Sequence, residues 1–266
     1  MQNSNKNNMT FINHLELLRW HIIRSLIVIF LFSFISFLCK KFIFHTIILG
    51  PSRSDFWTYQ VLCKIGIILK SPFLCIKQLH FTIQSRYMTG QFTMHLISSF
   101  VFGFICSFPY IFWELWRFVS PGLDILEKKK IYILIFIVSF FFMSGILFGY
   151  YIIVPLCINF LANYQLDPSI INEFDITSYV STICILVLFC GFMFQFPIII
   201  YFLTKFNIIN YYFMQKYRRH SIIIILFLSA IITPPDVVSQ LLIAIPFFLL
   251  YEFSIFISKL VFKKKK

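Results

Sequence analysis

Six long apolar blocks, separated by short polar or charged stretches, decide what this chain can become. They run from about Ile22 to Cys39, Phe92 to Trp113, Ile131 to Ile153 (with a continuation toward Leu161), Tyr179 to Phe202, Ser221 to Ile232 and Val237 to Ile257. A helix needs roughly 20 apolar residues to cross the hydrocarbon core, where no water is present to satisfy the backbone. The blocks show neither the alternation nor the 3.6-residue period of half-buried elements. Only 12% of the 266 residues are charged, about half the share in a soluble domain, and mean hydropathy is +0.86. The expected class is all-α: a polytopic membrane protein with six transmembrane helices in one integral domain over residues 1–266. The fifth and sixth helices read as short, the fifth block having 12 residues, about 18 Å of helix. Met1 to His21 has no apolar core of its own, so the first span is expected to act as an uncleaved signal anchor.

The distribution of basic residues sets an expected orientation. An even number of spans puts both termini on one side. On that side fall 16 of the 23 lysines and arginines, among them Arg117, Lys128 to Lys130, Lys205, Lys216, Arg218, Arg219 and the tail from Lys259 to Lys266. The opposite stretch from Leu161 to Ser178 has none and carries Asp167, Glu173 and Asp175. The positive-inside rule then gives cytoplasmic termini, N-in and C-in. The loop at about 40–90 disagrees, with seven basic residues. The other loops and the tail agree with one another, and long loops determine orientation weakly. Basic charge at span boundaries, and not on one face, points to anionic lipid headgroups as partner and away from nucleic acid.

That loop is the one sizeable extramembrane piece. Gly50-Pro51, Trp57, Tyr59 and Pro72 suit a helical cap lying on the outer interface. Cys63 and Cys75 both lie in it, as a candidate disulfide on an oxidising side or as two unpaired small apolar residues. The other five cysteines fall within or at the ends of spans and read as packing residues. No Cys–His spacing resembles a metal site, so neither metal nor cofactor is assigned. No G-x-S-x-G, HExxH, P-loop or dinucleotide fingerprint is present, and the chain is not expected to be an enzyme.

The remaining signals are prolines and intramembrane polar groups. Glu114 precedes Trp116-Arg117, which suggests an interfacial ion pair. Glu252, a few residues before Lys259, suggests snorkelling or pairing. Gln195 sits beside Phe196-Pro197, where a proline frees a backbone carbonyl; a structural bond to that carbonyl and a functional polar contact fit equally. Glu16, Asp124 and Glu127 are isolated acids among many bases. Such a carboxylate either pairs locally, Glu16 with Arg19 for example, or receives a guanidinium pair in bidentate fashion. Between the fifth and sixth blocks, Thr233-Pro234-Pro235-Asp236-Val237-Val238-Ser239-Gln240 makes a tight water-facing reversal: the prolines have no N–H to lose, and Asp236 resists hydrocarbon.

Several of these stretches, in order, resemble the TatC family, the multi-span core of the twin-arginine protein translocase. His14-Leu15-Glu16-Leu17-Leu18-Arg19 resembles the entry motif H-L-x-E-L-R. Phe108-Pro109-Tyr110, Trp113 to Phe118, Ser120-Pro121-Gly122-Leu123 and Glu127-Lys128-Lys129 resemble the second span's end and the first cytoplasmic loop. Gly149-Tyr150-Tyr151, Pro155 and Asn159-Phe160-Leu161 follow. Phe194-Gln195-Phe196-Pro197 resembles F-E-x-P, and Thr233 to Gln240, Ala244-Ile245-Pro246 and Tyr251-Glu252 complete the series.

The resemblance implies a receptor for the twin-arginine signal peptides of folded cargo and a scaffold for single-span partners of the TatA/TatB type. It also implies self-association in a larger complex, a multi-pass location in the bacterial inner membrane (an organellar membrane being the lesser alternative), and export driven by the proton-motive force. By position, Glu127, Phe118 and Arg19 match contacts of the signal-peptide surface, and Gln195 an intramembrane polar position. The chain departs from the family pattern twice. The family's usual Glu is Leu17 here, with the acid one position earlier at Glu16, rotated about 100° on a helix. Gln195 stands where the family commonly has Glu, keeping hydrogen-bonding ability and losing charge. Two other readings are a secondary transporter of small solutes, for which no repeat between halves is visible, and a membrane scaffold without cargo.

Overall fold

The computed structural model describes residues 11–68, 81–119, 131–164, 167, 172–232 and 237–265. In chain order the elements begin with α1 (Phe11–Leu38), a π-helical segment (Phe42–Ile48), α2 (Trp57–Ile68), β1 (Phe81–Gln84) and α3 (Gly90–Val119). Then come α4 (Ile131–Phe148), a second π-helical segment (Gly149–Ile153), α5 (Val154–Asn163) and β2 (Asn172–Asp175). The series closes with α6 (Ile176–Met193), α7 (Phe196–Lys205), α8 (Tyr211–Lys216), α9 (Arg218–Ile232) and α10 (Val237–Lys265). The all-α expectation holds with one addition: β1 and β2 pair in parallel, in register from Phe81 opposite Asn172 to Gln84 opposite Asp175.

Among the described residues, five helical runs are long and apolar enough to cross a membrane: Leu15–Leu38, Gly90–Val119, Tyr132–Asn163, Ile176–Lys205 and Ser239–Lys263. They cover five of the six apolar blocks and overrun them, because helix continues into flanking polar residues whose long side chains reach the interface. The third run passes through the second π segment to Asn163, beyond Ile153. The fifth block folds as α9, 15 residues, about 22 Å against a core of about 30 Å. The shortness expected of the sixth helix is not seen in the helix itself: α10 has 29 residues. Its lysine-rich end carries the helix on past the apolar block, lysine being a good helix former.

The chain falls into two compact units, Met1–Cys39 with Ser99–Phe140, and Lys40–Ser98 with Phe141–Lys266. In the first unit α1 meets α3 at Gly103. A Cβ at that position would lie 2.1 Å from Ser33 Oγ and 2.6 Å from the Ser33 backbone nitrogen. Only a residue without a side chain lets the two backbones touch, the close approach by which helices associate in lipid.

In the second unit the same device joins α4 to α6: a Cβ on Gly191 would lie 2.7 Å from Ile146 Cδ1 and 2.9 Å from the Phe142 ring. Val154, Val180, Leu186, Ile243 and Phe247 are buried in the same unit, and the Phe189 and Phe247 rings meet edge-on at 5.1 Å. Thr204 Oγ1 donates to Ser258 Oγ at 3.0 Å, and Tyr251 OH to the Met214 carbonyl at 2.9 Å, tying α7 and α8 to α10. Past α7, Asn207 takes φ 59°. Its N–H reaches the Thr204 carbonyl at 3.1 Å and that of Ile208 the Leu203 carbonyl at 2.9 Å, a left-handed cap that asparagine tolerates and that ends the helix.

Pro155 explains how the loop before α3 is seated on the third run. It has no N–H for the carbonyl of Tyr151, four residues earlier. Thr58 Oγ1, from α2, donates to that carbonyl at 2.5 Å. Tyr59 OH lies 2.9 Å from the Pro51 carbonyl and 3.2 Å from that of Pro155. The last carbonyls of the first π segment, which no helical N–H can reach, take Tyr150 OH on Ile47 at 2.9 Å and Tyr179 OH on Ile48 at 3.0 Å. Burial pushes the Tyr59 phenol well above its ordinary range, so it stays a donor at any physiological pH.

Candidate functional site

The first unit holds most of the residues singled out for recognition. Glu16 and Arg19 are exposed on the opening turns of α1. The local pairing of the two does not form: Glu16 has no ion pair or hydrogen bond among the described residues, and the Arg19 guanidinium stands 5.9 Å from the Trp20 ring centroid. Phe118 sits at the end of α3 and meets the His21 ring edge-on at 6.1 Å. The structure therefore brings Phe118 to the face of α1 that follows Arg19. Glu127 and Asp124 lie outside the described residues.

Under this surface is a polar cluster that the sequence reading did not assemble. Glu114 is 1% exposed. Its Oε2 is bound by His21 Nδ1, and its Oε1 accepts a 2.9 Å hydrogen bond from Tyr110 OH one turn earlier on α3. The Arg24 guanidinium adds positive potential at the same carboxylate. The expected partner, Arg117, stands instead over the Trp113 ring at 5.7 Å. Tyr110, at i−4 from Glu114, is its neighbour on the same face of α3. A buried carboxylate requires donors, and α1 supplies one. The available signal was depth: His21 lies near the start of the first span and Glu114 near the end of the second.

Gln195 occupies the break between α6 and α7. Its N–H bonds the Phe192 carbonyl at 3.0 Å, and its own carbonyl receives Ile198 and Ile199 at 3.0 and 3.1 Å. Pro197, in the first turn of α7, starts the new helix segment there, and the Gln195 residue is 9% exposed. Pro234, Pro235 and Asp236 lie outside the described residues. The last residue of that motif is described: Gln240 Nε2 donates to the Leu226 carbonyl at 2.9 Å, holding α10 against α9. Glu252 lies 2.5 Å from Arg218 Nε, an ion pair without hydrogen-bond geometry, and the Arg218 guanidinium also covers the Phe248 ring at 5.7 Å.

In the loop, Cys63 is disulfide-bonded, and Cys75 lies outside the described residues. The stretch beside β2 is held by charge. Arg86 Nη2 lies 3.5 Å from Glu173, and the Arg86 N–H donates to Asp175 Oδ1 at 3.1 Å. Thr177 Oγ1 binds the other Asp175 oxygen. These donors, Thr177 first, hold the Asp175 carboxyl below its ordinary range.

Long apolar helices closed by glycine contacts, with polar groups at their ends and breaks, define a multi-span membrane protein. The chain matches the family model for the Sec-independent protein translocase protein (TatC) over residues 13–246, and it belongs to that family. It is 41% identical over 263 residues to the Sec-independent protein translocase protein TatC of Blattabacterium sp. subsp. Periplaneta americana, across 98% of each chain. It is 32% identical to that of Aquifex aeolicus, across 97% of this chain and 98% of the other. Two crystal structures of the twin arginine translocase receptor TatC, one of them in DDM, superpose with TM-scores of 0.71 and 0.74 at 30% identity. They cover 93% and 92% of this chain and 99% of each of theirs. The chain is thus a membrane component of the Sec-independent translocase.

Proposed function

We propose that this TatC-family chain is the receptor that binds twin-arginine signal peptides of folded proteins. On this reading it also gathers single-span TatA/TatB-type partners, and copies of itself, for export driven by the proton-motive force. The observation that carries the reading is the exposed Glu16 carboxylate on α1, free of its neighbour Arg19 in a unit where Phe118 is also presented. Two guanidinium groups prefer fixed carboxylates in a partly dehydrated groove, where the planar fork is bound bidentately. Glu127 is the second acid of this surface. Gln195 is the intramembrane contact for a partner helix, offering hydrogen bonds without charge.

The proposed setting is the bacterial inner membrane with both termini cytoplasmic, in one integral domain over residues 1–266. The reversal at Pro234, Pro235 and Asp236 faces the other side, and Cys75 is the partner of Cys63 in the loop. Site-specific photocrosslinking from residues 16 and 127 to a twin-arginine signal peptide in membranes tests the receptor role. Crosslinks at either residue that vanish when both peptide arginines become lysines are the expected result. Crosslinks indifferent to that change, or none at either residue, would overturn it.

A further inference from the structure

Lys40 and Lys41 follow the first span, Leu15–Leu38, after Cys39. With Phe44, Phe92, His95 and Ile176 they line an open groove of about 420 Å³, and Lys41 and Phe44 continue into an adjoining groove of about 500 Å³ beside His45. The depth of the pair of grooves is set by the chain. Phe92 stands in the first turn of the second span, which begins at Gly90, and Ile176 is the first residue of the fourth. Two lysines that follow one span and the starts of two others therefore line the groove at one level, where a bilayer presents its headgroups.

The chemistry is two-layered. Both lysines are exposed, while Phe44 and Ile176 are partly covered. Among the described residues neither groove is lined by a carboxylate. The nearest acid in sequence, Asp175, is committed to Thr177 and the Arg86 N–H. Arg53 Nη2 contacts His45 Nε2 at 2.8 Å, adding a further cation beside the second groove. Cations at the mouth over aromatic walls match an amphiphile with a phosphate at the glycerol junction. A soluble acidic peptide would use the lysines and leave the aromatic walls without a role. We propose that these grooves bind an anionic phospholipid, its phosphate on Lys40 and Lys41 and its upper acyl chains against Phe44 and Phe92.

Each basic residue near a headgroup phosphate is worth about 1 kcal/mol, so losing two weakens binding about 30-fold. The full-length protein in neutral detergent is titrated with phosphatidylglycerol or phosphatidylcholine, and bound lipid is read by native mass spectrometry. K40Q/K41Q is expected to lose about 30-fold in phosphatidylglycerol retention, K40R/K41R to keep it, and K64Q, at another exposed lysine, to leave it unchanged. Phosphatidylcholine retention is weaker and indifferent to all three. Equal phosphatidylglycerol retention by K40Q/K41Q and the native chain would overturn the assignment. So would equal retention of the two lipids, or displacement of phosphatidylglycerol by glycerol 3-phosphate at the same concentration, which would make the occupant a soluble anion.

Discussion

Glu114 is the residue whose replacement should be felt most. A buried ion pair that loses one member leaves the other charge or polar group uncompensated, at about 3 kcal/mol, while replacing both members by apolar groups is often near neutral. His21→Leu or Glu114→Leu alone should lower the thermal unfolding temperature of the purified protein markedly. The double variant should recover most of the loss. An additive double loss would mean that the two residues act independently.

Asp175 makes the pH case. Its folded carboxyl titrates below the ordinary value of about 3.9, because Thr177 and the Arg86 N–H bond the charged form. Its contribution is therefore complete above that ordinary value and is lost as pH falls through the lower folded value. Amide protection in 81–84 and 172–175, taken relative to the intrinsic exchange rate at each pH, should fall on acidification below about pH 4. In Asp175→Asn the low protection should already be present at neutral pH, with no further change at Asp175's titration.

At the scale of elements, the glycine contacts and α9 carry the predictions. Gly103→Leu would drive a side chain into the Ser33 backbone, which no rotamer of Ser33 relieves. The α1–α3 pair should separate, and a cysteine crosslink between residues 33 and 103's neighbours on the two helices should fall sharply. The short α9 bears on mechanism. A hydrophobic stretch shorter than the core thins the adjacent bilayer at fractions of a kcal/mol per Å, which would lower the barrier to a transient opening beside a scaffold that gathers partner helices. Four leucines inserted into α9 add about 6 Å. They should reduce export of a twin-arginine cargo while signal-peptide crosslinking persists; undiminished export would remove thinning by α9 from the mechanism.

For the whole molecule, the sequence by itself determined the membrane class, the positions of the apolar blocks, the short fifth helix and the family. Each follows from local quantities: run length against bilayer thickness, and the order of short motifs along the chain. The polar map was less legible. Glu252 was expected near a cation, but the partner is Arg218, 34 positions back in the chain, because helices that fold against each other meet at equal depth and not at near sequence numbers. Thr58 covering the carbonyl left by Pro155 follows the same logic: the proline announced a vacancy, and only packing supplied the donor. The length of α10 and the pairing of β1 with β2 were hidden because helix persists through polar lysines and two four-residue strands carry too little pattern to be seen. Tertiary structure alone brought His21 to Glu114, since the cost of an unpaired buried carboxylate is met by whichever donor the neighbouring helix presents, and no local rule names that helix.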